Sequence, residues 1–339
     1  MKFSIRLRSI AFIISGLCIA APAAGASVAD FYKGQTVTLL IGSSAGGGFD
    51  AYGRLVARHI GRHIPGNPDV LPVNLPGAAS ATAVRLLEAR PKDGTVIVAF
   101  NPSLILKAIT KPKQLTLKFN ELAYLGSVSS NVGVCFVWHT TGIKTWADLA
   151  KRKEQVVFGA PGSRGSSVYI EGAMLKNVFG LPVRVITGYP GSTEVNLAVR
   201  RGELQGSCGT WQSIPVEWRQ KNWINAIYTY SKAKPDGIDA PYLLDLAKNE
   251  NEKKMMNLVI GYNDVFRPLA VAKEIPQDRL KALRDALWAT VQDKTFMKEA
   301  ERLDRPIISP RRGEEMQQIV AEMYDTPPNL ISAAIKAIK

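Results

Sequence analysis

The chain has 339 residues, with 43 Lys and Arg against 29 Asp and Glu, for a formal net charge of +14. That surplus is spread along the sequence with no basic tail or block interleaved with aromatics, which sets nucleic acid aside and leaves solubility and a weak pull on anions. Beyond the N-terminus no apolar run is long enough to span a bilayer, so a soluble mature chain is expected.

Residues 1–26 read as a secretory signal peptide. Lys2, Arg6 and Arg8 precede an apolar stretch from Ile10 to Ala21, and Ala24-Gly25-Ala26 supplies the small residues of a cleavage site. The stretch is too short for a membrane span, and Cys18 follows Leu17 inside it, which argues against a lipoprotein. Cleavage removes three positive charges from the +14, leaving +11 on a periplasmic chain that begins near Ser27.

The first strand of the mature chain leads into its most informative loop. Val37-Thr-Leu-Leu-Ile41 is β-branched or leucine-rich, too short for a helix and stopped by Gly42, so it reads as a buried strand. From Ala51 the apolar positions Leu55, Val56 and Ile60 recur at helical spacing. Ser44-Ala45-Gly46-Gly47-Gly48-Phe49-Asp50 is then a strand-to-helix loop, whose free amides and helix dipole favour a carboxylate or phosphate. A tight turn that only needs positive φ is the plainer alternative.

Further strands are expected near 70–75, 95–100, 123–128, 132–138, 156–159, 183–187, 204–208 and 224–230, with helices between most of them. This alternation predicts α/β layers with mostly parallel sheets in two domains, joined by short crossings that carry the chain over and back. Cys135 and Cys208 fall in strand-like contexts, where they either pair in an oxidising compartment or stay as buried thiols. Thr145-Trp-Ala-Asp148 has the form of a capping box. Val156-Val157-Phe158 leads into Gly159-Ala-Pro-Gly-Ser163-Arg164-Gly165-Ser166-Ser167, after which Ile170, Met174, Leu175 and Val178 mark a helix, so a second anion-cradling loop forms the other wall of a cleft. Tyr189-Pro190-Gly191-Ser192 is a third contributor. Ser309-Pro310 reads as an N-cap with proline at the first helical position, and the apolar spacing makes 276–338 almost entirely helical.

Other spellings carry less. Gly42-Ser-Ser44-Ala-Gly46 matches a nucleophile elbow, but it follows the first strand of the mature chain, and only His139 comes well after Ser44. Gly46-x-Gly48-x-x-Ala51 fits a dinucleotide fingerprint by spelling, yet Leu71-Pro-Val-Asn-Leu75 offers no carboxylate for a ribose, and no Gly-Lys-Ser follows for a P-loop. His59 and His63 have a spacing zinc accepts, but Ile60 stands where a metalloprotease has its Glu, and Arg54, Arg58 and Arg62 make a solvated basic face the better reading. Asp50, without an acid partner, caps the helix or orients the loop. Trp138, Trp211 and Trp223 either line a pocket or pack.

With both loops in hand, the chain resembles the extracytoplasmic receptors of tripartite tricarboxylate transporters, the Bug family, over nearly its whole mature length. Ser44-Ala-Gly-Gly-Gly-Phe-Asp50, Asn74-Leu-Pro-Gly-Ala78, Pro91-Lys-Asp-Gly-Thr95, Gly162-Ser-Arg-Gly-Ser-Ser167, Tyr189-Pro-Gly-Ser192 and Gly202-Glu-Leu-Gln-Gly206 match that family's segments in order. Tyr169 stands where many members have histidine, and an acidic residue common near Gly209 is absent.

The resemblance implies a two-domain periplasmic-binding-protein (Venus flytrap) fold, with domain I at 27–128 plus 258–339, including extra C-terminal helices, and domain II at 129–257. It implies a small organic mono- or dicarboxylate as ligand, held by Ser44, Ala45, Gly46, Gly47, Gly48, Phe49 and Asp50 on one wall. Ser163, Gly165, Ser166 and Ser167 form the other wall, and Tyr189, Thr210 and Trp211 close the pocket. Arg164 is the candidate for reading a second carboxylate, against a surface salt bridge. No cofactor, metal or catalytic residue is expected, and the partner is a membrane permease. A sensing receptor with the same pocket, or a periplasmic α/β enzyme using the same cradle, are the alternatives.

Overall fold

The computed structural model describes residues 27–231, 234 and 237–339; the leader, its cleavage site and Cys18 lie outside the described residues. The chain begins with α1 (Val28–Tyr32), β1 (Thr36–Ile41), α2 (Gly48–Ile60), β2 (Asp69–Asn74), α3 (Ala81–Glu88), β3 (Val96–Ala99), α4 (Ser103–Thr110) and β4 (Leu122–Ser127). A short crossing leads to β5 (Gly133–Trp138), α5 (Trp146–Lys151), β6 (Val156–Pro161), α6 (Ser167–Asn177), β7 (Val183–Tyr189), α7 (Ser192–Arg200), β8 (Gly206–Thr210), α8 (Val216–Gln220) and β9 (Ile224–Thr229). The return passes α9 (Glu250–Ile260) into β10 (Pro268–Ala272), then α10 (Gln277–Gln292), α11 (Lys294–Arg302), β11 (Arg311–Arg312), α12 (Gly313–Tyr324) and α13 (Pro328–Ala337).

Two sheets result, ordered β11-β4-β10-β3-β1-β2 and β7-β6-β8-β5-β9. β2, β1 and β3 are parallel neighbours, as are β7, β6 and β8. A reversed strand enters each set, β10 between β3 and β4 and β5 between β8 and β9. This is the two-domain α/β architecture expected from the alternation, with the reversed strands making both sheets mixed.

Register fixes where the sheets meet. Leaving the C-terminal end of β4, the chain enters β5 with Gly133 opposite Thr210, the last residue of β8. Leaving β9 it enters β10 with Pro268 opposite Ser127, the last residue of β4. The C-terminal edges of both parallel sets therefore lie on one seam. The side chain of Asn131 donates to Asn263 Oδ1 at 2.7 Å and ties the two crossings together.

Several local expectations meet tertiary forces. Thr145 and Asp148 do form a capping box at α5. Ser309-Pro310 does not begin a helix. Arg312 is the N-cap of α12, and 303–312 is held against the crossing by Ser130 N to Ile308 O (2.7 Å) and by β11 pairing with β4. β10, absent from the expected strands, has only five small or apolar residues and takes its conformation from β3 and β4 on either side. His59 is not on a solvated face: it is 4% exposed, with Nε2 2.5 Å from Glu299, while Arg62 and His63 meet Asp293. The basic side of α2 is a docking surface for α11. Cys135 and Cys208, directly opposed on β5 and β8, are joined as a disulfide.

Beside the crossings sits a buried carboxyl. Glu171, on α6, is 1% exposed; Tyr262 donates its hydroxyl to Oε1 at 2.9 Å, Tyr230 and Asn263 face the group, and Oε2 has no partner among the described residues. Burial pushes its pKa up from 4.5 to about 8, against the pull of those hydrogen bonds. The folded chain thus keeps a proton that the unfolded chain releases above 4.5, so this contribution is complete below 4.5 and fades as pH rises through about 8. Urea melts across that window are expected to show wild type losing stability relative to Glu171→Gln as pH rises; parallel curves would reject a proton at this position.

Candidate functional site

The first loop is built from its neighbours. Gly42 ends β1 because Ser80 is packed on it: a Cβ there would stand 2.4 Å from that of Ser80, whose hydroxyl donates to Gly42 O at 2.8 Å. Asn74 donates to Ser43 O at 3.0 Å and to Asp50 Oδ1 at 2.7 Å, so the Asn74-to-Ala78 segment is the brace behind the loop. Asp50 is 4% exposed and accepts from Gly46 N at 2.8 Å, Arg54 Nε at 2.8 Å and Asn74. Burial works to raise its pKa, but these donors outweigh it and hold the carboxyl below its usual range. Asp50 therefore shapes the loop and occupies the Gly46 amide.

What remains open is the start of α2. Gly47 is the N-cap, with no side-chain bond, and the amides of Gly48, Phe49 and Asp50 precede the first helical bond, from Ala51 N to Gly47 O. Ser44, Ala45, Gly46 and Gly47 are exposed, Gly48 and Phe49 partly so. The hydroxyl buried here is that of Ser43, a residue the sequence reading passed over, and it has no partner among the described residues.

The second loop repeats the plan. Ser163 Oγ accepts from Gly165 N, and Ser166 caps α6 by accepting from Tyr169 N, so those two hydroxyls organise the turn and leave the amides of Ser167 and Val168 open. Arg164 is exposed and unpaired among the described residues. Tyr189 is coupled to this loop through Gly162 N to Tyr189 O at 2.8 Å. The third start, at α7, is less open: Glu194 Oε2 would lie 3.1 Å from a Cβ on Gly191, so the helix's own carboxylate hangs over it. Thr210 and Trp211 follow β8 at the seam, with Trp211 N bonded to Val132 O at 2.7 Å.

All these groups lie at C-terminal strand ends, on the seam where both sheets meet, which is where open α/β sheets bind ligands. The other candidates fall elsewhere. Trp138, Trp223 and His139 cluster at the opposite edge, where β5 ends beside the start of β9. His59 and His63 face α11, so no histidine approaches Ser44, and no group of acidic, His or Cys residues among the described ones is arranged to hold a metal. Two surface concavities run along α9, one past Tyr242, Glu250 and Lys254 and one past Asn257, Ile319 and Pro327, away from both glycine-rich loops.

The same arrangement occurs in known structures. A TctC solute-binding protein from Polaromonas superposes with a TM-score of 0.68 at 17% identity, covering 91% of this chain and 98% of that one. The periplasmic binding protein BugD gives 0.64 at 17% identity, covering 90% and 98%. MatC from Rhodopseudomonas palustris, with bound malate, gives 0.65 at 14% identity, covering 90% and 99%. The chain has the fold of the TctC and Bug solute-binding proteins. No protein-family model matches it, and no curated protein does. Among the described residues no helix is long and apolar enough to cross a membrane.

In this fold the first loop is as good as its brace. Asp50→Ala leaves the Gly46 amide and Asn74 without their acceptor, and is expected to cost about 1–3 kcal/mol in urea unfolding. Asp50→Asn, which keeps one acceptor, should recover part of that loss.

Proposed function

We propose that this chain is an extracytoplasmic solute-binding protein that captures a small organic carboxylate between two domains and delivers it to a tripartite-type membrane permease. Domain I comprises 27–128 plus 258–339, and domain II 129–257, so that one glycine- and serine-rich loop comes from each. The observation that carries the reading is the pair of helix starts, α2 and α6, whose first amides are left open on a single seam. Unpaired N–H groups at a helix N-terminus, with the dipole behind them, are an anion site of fixed geometry that reads charge and leaves the rest of the solute to side chains. Malate bound to MatC, a protein of this fold, is the kind of solute such a grip suits. In this reading the chain binds its solute without transforming it, in keeping with the solute-binding proteins that share its fold. It acts in the periplasm, after a leader of 26 residues is removed.

Gly47 offers a clean test. Its φ of −78° and ψ of 170° suit an aspartate, which is among the best N-cap residues, and a Cβ there meets only Ser44 O at 3.8 Å. Gly47→Asp should fold at least as stably as wild type while its own carboxylate fills the anion position. Ligand-stripped wild type is expected to melt higher with di- or monocarboxylates and not with their neutral amides, by about 2.7 kcal/mol at a hundred times the dissociation constant. The variant should show no such shift. Equal shifts in both proteins would remove the first loop from the site, and no shift in wild type with any carboxylate would overturn the receptor reading.

A further inference from the structure

Arg267 stands in the return crossing, just ahead of β10, at a φ of 55°, a left-handed backbone that an arginine followed by proline rarely adopts. Its guanidinium is surrounded by rings, with centroids of Phe49 at 4.4 Å, Phe266 at 4.5 Å and Tyr52 at 4.6 Å. A Cβ placed on Gly48 would lie 3.0 Å from its Nη2, so the cation is against the first turn of α2. Among the described residues no carboxylate or carbonyl pairs with it. Other arginines of this half do find acids: Arg54 has Asp50, Arg58 has Glu299 and Arg62 has Asp293.

Burial, with the positive charge of Arg305 adding to it and the Tyr52 hydroxyl opposing, brings the Arg267 pKa down to about 10, still charged at neutral pH. The Nε of Arg305 is itself buried and has no partner among the described residues. Arg305 Nη1 does donate to Asp304 O at 2.6 Å, but neither guanidinium is paired with a carboxylate among the described residues. Aromatic faces recover only part of the cost of removing a cation from water. The shortfall is made good by a planar oxyanion, which a guanidinium meets with two parallel hydrogen bonds.

We propose that Arg267, held among these rings against the first turn of α2, binds a second acidic group of the solute, so that this receptor selects dianionic over monoanionic carboxylates. The inference rests on the receptor reading above and deepens it. It also moves the second-carboxylate role from Arg164, which is exposed on the far wall, to a guanidinium already held against the first loop. One carboxylate of the solute is then met by helix amides and the other by Arg267, which fixes both the number and the spacing of the charges.

The test is calorimetric titration of the mature protein with matched pairs, succinate against butyrate and adipate against hexanoate. Wild type is expected to prefer a dianion by about tenfold or more, the worth of one charge-assisted bidentate contact. Arg267→Gln should erase that preference while changing the monoanion affinity less than about threefold. Arg267→Lys, with charge but no fork, should retain only part of it. Gly48→Ala, whose methyl presses on Nη2 from within a helix turn that welcomes alanine, should weaken it too, and decides the matter if the Arg267 variants melt prematurely. A preference untouched by these variants, or a wild type that binds carboxylates without any preference, overturns the inference and leaves the receptor reading standing. A wild type that binds none of the four acids overturns both.

Discussion

The constraint on which the rest depends is that each half of the molecule lends the other its reversed strand. β5 is reached from β4 and β10 from β9, and each runs antiparallel to both of its neighbours. A strand inserted this way must begin where its parallel neighbours end. Both crossings are therefore short, both lie at the C-terminal edges, and the loops that follow parallel strands are brought to one seam. Two glycine-rich turns some 120 residues apart in sequence thus reach one seam through strand order.

Electrostatics at those walls follows from what the backbone has left over. A helix start exposes donors that water or a ligand must satisfy. At α6 the serine hydroxyls of 163 and 166 are spent on the turn itself, and at α7 Glu194 lies over the opening. At α2 the cap is a glycine with no side chain to spend. Asp50 takes one amide, that of Gly46, and in doing so fixes the orientation of those that remain. The negative charge it brings is balanced by Arg54 behind it, so the loop's net pull on an anion is not cancelled.

Much of this was legible in the sequence, and the reasons are physical. Val37–Ile41 and Val156–Phe158 announce strands because buried parallel strands are apolar throughout, and a glycine run before a helical period has few other uses. The two-domain α/β plan and both loops follow from those signals. β10 was not legible, since Pro268–Ala272 has no period and is a strand only because β3 and β4 flank it. Ser309-Pro310 misled, because hydrogen bonds from Ser130 and the pairing of β11 outweigh a local capping preference. His59 on α2 and His63 just after it misled as well, since nothing in their own stretch of chain reveals that Glu299 and Asp293 arrive from residues more than 200 positions away. Arg267 carried a faint signal, an arginine between Phe266 and Pro268, which gains meaning only once the rings and Gly48 are seen around it.

The bonds that join the halves differ in how deeply they are buried. At the crossings they are buried: Asn131 to Asn263, and the Tyr262 hydroxyl to Glu171, at sites 0–3% exposed. Such bonds are costly to leave unmade. Farther out the halves meet through Arg219 with Asp304, whose carboxylate side is 57% exposed, the kind of pair worth about 1 kcal/mol or less, and through α13 against α6, where the Tyr169 hydroxyl donates to Lys339 O at 2.7 Å and Asn177 Nδ2 to Ala337 O at 3.0 Å. The raised pKa of Glu171 belongs to the same setting, because a charged carboxylate at the crossings, with one oxygen unsatisfied, would be costly to keep out of water.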